Sequence, residues 1–133
     1  MMNGVLLITH GNIGQDMLDV VSSILGRCPM ATKAIGITPD CDPDAIFATA
    51  SQICAALDDG HGVLVLTDLY GSTPSNIANR LLESHNVIVV AGINMPMLLR
   101  IMNYPDRDLE ILAEFAASGA RNGIVLTRTR QAC

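Results

Sequence analysis

The chain has 133 residues, half of them hydrophobic and only 16% charged, with a formal net charge of -5. One domain of this composition buries a large core, and with aromatics at 3% that core must come from Leu, Ile, Val, Ala and Met. No run of Lys or Arg exists, which argues against a nucleic acid or an anionic membrane surface as partner, since both are bound mainly through basic groups.

So few charges imply a sheet covered on both faces, a subunit interface, or both. Cys28, Cys41, Cys54 and Cys133 form no C-x-x-C pair and have no His at zinc-like spacing, so they read as reduced thiols and no metal site is expected. The N-terminus lacks the basic segment of a signal peptide. The longest apolar stretch, Val87 to Leu99, is broken by Gly92, Asn94 and Pro96 and cannot span a bilayer. The expectation is one cytoplasmic domain over residues 1–133.

Short apolar runs alternate with longer amphipathic ones, the pattern of a mostly parallel α/β sheet. Val5 to Thr9 is a continuous apolar strand, followed by the polar turn His10-Gly11-Asn12. Gln15 to Leu25 sets Met17, Leu18, Val21 and Leu25 on one helical face, and Gly26 ends that helix. Thr32 to Ile37 is the second strand. Asp42 and Pro43 suit the N-cap and first position of a helix reaching Leu57, with Ile46, Phe47, Ala50, Ile53, Cys54 and Leu57 as its buried stripe. Val63 to Thr67 is the third strand, and Asp68 follows it directly. Thr73 and Pro74 read as N-cap and first residue of a helix ending near Leu82. Val87 to Ala91 is the fourth strand, with a helix from about Pro96 and another over Asp108 to Ala117. Gly123 to Thr127 is expected as a fifth strand, at a sheet edge or subunit contact.

Topology separates the three histidines. Ligands of open α/β sheets bind beyond the carboxyl ends of the strands, near the switch in strand order. His10 lies at such an end; His61 and His85 precede strands and read as exposed loop residues at the opposite edge. In a flavodoxin-like order 2-1-3-4, strands one and three are neighbours, so Asp68 comes to lie beside His10. A carboxylate there fixes the imidazole tautomer and stabilises positive charge on the ring. No G-x-S-x-G elbow is present, which leaves His10 as the best nucleophile. Gly71, Ser72 and Thr73 open a helix whose first N–H groups are free, a ready anion site, and Gly11 flanks it from the first turn. No Walker motif, dinucleotide fingerprint or magnesium cluster occurs, so no cofactor is expected and a phosphoryl group would have to arrive on an already activated donor.

At these residues the chain resembles the mannose-type enzyme IIA component of the bacterial sugar phosphotransferase system. The likeness rests on Leu7-Ile8-Thr9-His10-Gly11, on Thr67-Asp68-Leu69-Tyr70-Gly71-Ser72-Thr73-Pro74-Ser75-Asn76, and on Gly92-Ile93-Asn94-Met95-Pro96-Met97-Leu98. The resemblance implies that the phosphocarrier HPr phosphorylates His10, that Asp68 is its partner, and that Thr73 and nearby amides hold the phosphoryl group. It implies transfer onward to a IIB component, and a homodimer that exchanges the fifth, antiparallel strand. The chain departs from the family at Ser72, where a second Gly is common, and at Ser75, where Phe is common. It ends at Cys133, so the expected acceptor is a separate protein. Alternative roles are a regulatory module that reports phosphorylation, or a carrier feeding dihydroxyacetone kinase.

Overall fold

A computed structural model describes residues 3–130. Strands β1 (Gly4–His10), β2 (Thr32–Ile37), β3 (Val63–Thr67) and β4 (Val87–Ala91) form one parallel sheet in the order β2-β1-β3-β4. Five helices surround it: α1 (Ile13–Leu25), α2 (Pro43–Leu57), α3 (Thr73–Arg80), α4 (Met95–Met102) and α5 (Leu109–Asn122).

The continuous apolar runs of β1 and β3 follow from burial on both faces. Val5, Leu7, Leu64 and Leu66 pack with α1, α4 and α5 on one face. Leu6, Ile8, Val63 and Val65 pack with α2 and α3 on the other. All eight are fully buried, which sets the register: Gly4 pairs with Val63 and Ile8 with Thr67. A one-residue slip would exchange the two cores side chain for side chain. The register therefore brings His10 and Asp68 to the same edge.

Three boundaries differ from expectation. α1 begins two residues early, because Thr9 Oγ1 accepts from Gly14 N–H at 3.0 Å and ties the first turn down. Ser72, not Thr73, holds the N-cap position of α3, with Thr73 as its first residue and Pro74 second, and the helix ends at Arg80 in a short 3₁₀ turn over Leu81–Glu83. α5 continues to Asn122, because its small residues Ala116, Gly119 and Ala120 let it lie close on α4; a Cβ at Gly119 would stand 2.7 Å from that of Arg100.

The fifth strand does not form in the single chain. Gly123 caps α5, and residues 124–130 leave without regular structure. A strand needs a partner for its N–H and C=O groups, and among the described residues no strand pairs with this segment. Ile124, Val125 and Leu126 are each 77% exposed, while β4 forms an unpaired edge of the sheet. Cys133 lies outside the described residues. No helix among the described residues is long and apolar enough to cross a membrane.

Candidate functional site

The site is assembled at the carboxyl ends of β1 and β3, beside β2. His10 ends β1, and Gly11 turns the chain with φ +50°, a conformation that favours glycine. The Gly11 N–H donates to Ile37 O at 2.9 Å, tying the turn to β2. The approach is close because residue 36 is glycine: a Cβ there would stand 2.3 Å from Gly11 O.

Asp68 leaves β3 and reaches across to His10. Its Oδ2 accepts from the His10 ring at Nδ1 (2.9 Å) and from the His10 backbone N–H (3.1 Å). An ionised carboxylate only accepts, so Nδ1 carries the proton, and in the neutral ring the lone pair is on Nε2. The Asp68 side chain is 14% exposed and that of His10 48%, so the carboxylate sits behind the ring and the ring faces outward. Burial pushes the Asp68 carboxyl up, but the hydrogen bonds from the His10 ring and backbone outweigh it and hold the group below the ordinary aspartate range.

The loop after Asp68 turns at Gly71 (φ +83°) into α3. Ser72 Oγ donates to Leu69 O at 2.5 Å and makes no side-chain cap. Among the described residues neither Thr73 N–H nor Ser75 N–H has an acceptor. These groups and the helix dipole make the start of α3 favourable to an anion.

His10, Gly11 and Thr73 line a cavity of about 530 Å³. Its other walls are Ile37, Thr38, Pro39, Cys41 and Pro43, which the sequence reading left out of the site. Strand order was the available signal: β2 flanks β1, so the loop after it must border the end of β1. Gly71 and Ser72 stand in the loop beside this cavity and are not part of its wall. The other histidines are far from it in the fold. His61 is exposed and pairs with Asp59 at 2.8 Å. His85 is half-buried rather than exposed, because Ser51 Oγ engages its Nε2 at 2.7 Å. Among the described residues no group of three or more His, Cys, Asp or Glu could hold a metal ion.

The arrangement is thus a nucleophilic imidazole nitrogen, backed by a carboxylate and set near a helix N-terminus. Residues 4–115 match the family described as PTS system fructose IIA component, EIIA-man. The chain belongs to this family. It is 28% identical over 123 residues to the PTS system mannose-specific EIIAB component of Escherichia coli K12, covering 90% of this chain and 38% of that protein. It is 29% identical over 100 residues to the PTS system sorbose-specific EIIA component of Lacticaseibacillus casei, covering 73% and 70%. The mannose/sorbose specific IIA subunit from Enterococcus faecalis has the same fold, with a TM-score of 0.86 at 23% identity over the whole of both chains. The chain is a IIA component of the mannose class that spans 38% of the Escherichia coli relative's length.

Proposed function

We propose that this chain is a phosphocarrier: His10 accepts a phosphoryl group from phosphorylated HPr and passes it to a IIB component for sugar uptake. The observation that carries this reading is the Asp68 Oδ2–His10 Nδ1 hydrogen bond of 2.9 Å, which holds the proton of the neutral ring on Nδ1 and so keeps the lone pair on Nε2. In the forward step the Nε2 lone pair attacks the phosphorus of the donor's phosphohistidine. The donor N–P bond breaks, and its electron pair returns to the donor imidazole. Positive charge on the His10 ring is stabilised by Asp68. Thr73 and the free N–H groups at the start of α3, with Gly11, Gly71 and Ser72 around them, form the phosphoryl-binding surface. The second transfer repeats the step, with the acceptor as nucleophile. The chemistry needs neither metal nor nucleotide, because the group arrives on an activated nitrogen.

We further propose that the chain is a homodimer in which residues 123–127 pair antiparallel with the partner's sheet. The unpaired edge of β4 and the exposed Ile124-Val125-Leu126 segment support this, since each has what the other lacks. Ile124 already borders a groove with Val89, Val90 and Ala91 of β4.

The test is incubation with phosphorylated HPr followed by intact mass measurement. One phosphoryl group should be gained, labile in acid and stable in base. No gain, or a gain that the His10→Ala variant retains, contradicts the proposal.

A further inference from the structure

Among the described residues four buried side-chain oxygens have no hydrogen-bond partner in the protein: Asn3 Oδ1, Thr67 Oγ1, Asp68 Oδ1 and Ser75 Oγ. Asn3 lies at the start of β1, at the other end of the sheet. The remaining three lie at or just beyond the carboxyl end of β3 and in the first turn of α3.

Strand alternation places Thr67 on the same face as Val63 and Val65, the face that α3 covers. Ser75 lies one turn before Ala78, which packs into that same core. As the helix following a parallel strand, α3 runs back along the sheet, so its first turn stands over the carboxyl ends of the strands. Thr67 and Ser75 are 0% and 1% exposed. Asp68 follows Thr67 just past the end of β3, and its other oxygen, Oδ2, is committed to His10.

Buried polar atoms are almost always satisfied, and a buried carboxylate oxygen left alone is among the costlier exceptions. Asp68 Oδ1 can only accept, whereas both hydroxyls can donate. We propose that a buried water joins these three oxygens, and that Ser75 is thereby a positioning residue for Asp68. The water accepts from the Ser75 and Thr67 hydroxyls and donates to Asp68 Oδ1, giving the roughly three bonds usual for an internal water. It clamps the carboxylate from behind while His10 holds it from the front. Ser75 does not touch the phosphoryl group. Its effect passes through Asp68 to the orientation of the His10 ring, and this role rests on the phosphocarrier reading.

A donor to the ionised carboxylate lowers its pKa, so losing that donor raises it. His10 is the titratable group in contact with Asp68. The one charged side chain of α3, Arg80, is engaged with Asp44 at 3.0 Å.

The test is an NMR titration of the Asp68 carboxyl in the unphosphorylated protein, for wild type, Ser75→Ala and the near-isosteric Thr67→Val. Each variant should raise the Asp68 midpoint by about half a pH unit or more. Each should also slow transfer from phosphorylated HPr by about three- to tenfold, the loss expected of one indirect hydrogen bond. A crystal structure should show a water within hydrogen-bond distance of Asp68 Oδ1 and Ser75 Oγ. A midpoint unchanged in either folded variant, or a crystal structure with no water there, overturns the inference. The titration needs no HPr, so a shifted midpoint without any phosphorylation refutes the phosphocarrier reading and leaves the clamp standing.

Discussion

Replacing Asp68 with Asn keeps the size of the side chain and removes its charge. The wild-type carboxylate lies 2.9 Å from the ring nitrogen opposite the attacking one. Two unit charges 4 Å apart at an effective dielectric of 20 attract by about 4 kcal/mol. Only part of that charge has developed at the transition state, and the half-exposed ring is partly screened. About 3 kcal/mol of stabilisation remains, worth about 100-fold in rate. The same carboxylate repels the incoming phosphoryl group, but across the ring and on its solvent side. Over about 7 Å in water that repulsion is about 0.6 kcal/mol per unit of charge, so attraction wins. Asn also loses tautomer control, because its amide can donate to Nδ1 and shift the proton to Nε2. Together these effects should slow transfer by about two to four orders of magnitude. The assay is single-turnover transfer from phosphorylated HPr, with thermal melts as control. An Asn variant within about threefold of wild type would refute the reasoning and reduce Asp68 to a turn residue.

Other outcomes follow from the same geometry. His10→Ala should abolish phosphorylation with little change in melting temperature, while His61→Ala and His85→Ala should still accept the group; mass measurement on the three variants checks this. The folded pKa of Asp68 is depressed, so its contribution to stability is present above the ordinary value of about 3.9 and is lost as pH falls through the lower folded value. Acid unfolding of wild type and Asp68→Asn should therefore differ most above about pH 4, with the difference shrinking as pH falls from there and gone below the lower folded value. Burial, with Asp58 nearby, raises the Cys54 thiol to about 11, so at pH 8 iodoacetamide should modify exposed Cys28 and spare Cys54; peptide mapping reads the order. The full chain should sediment as a dimer at micromolar concentration, and deletion of everything after Asn122 should abolish that dimer and expose an aggregation-prone edge. A strictly monomeric full chain would remove the exchanged strand.

Much of the fold was legible because Val5–Ile8 of β1 and Val63–Leu66 of β3 are apolar on both faces of the sheet, as strands covered on both faces require. Once their order was set, the nearness of His10 and Asp68 followed from topology. The cap of α3 was harder to read. Ser72 and Thr73 are both capping types, and proline is tolerated at either of the first two helical positions because neither N–H has an intrahelical acceptor. The cavity wall from Ile37 to Pro43 was missed because its side chains are unremarkable chemically and matter only through their place beside β1. The run Gly123 to Thr127 has a strand's composition but no pairing partner among the described residues of one chain, and pairing is a property of two segments.

The central claim is that the phosphoryl group resides on one particular nitrogen. Protein labelled with ¹⁵N-histidine, phosphorylated by HPr and observed by ¹⁵N and ³¹P NMR, tests it most directly. Phosphorus coupling to His10 Nε2, with Nδ1 still protonated toward Asp68, is the expected result. Coupling to Nδ1, or to a nitrogen of His61 or His85, would contradict the account.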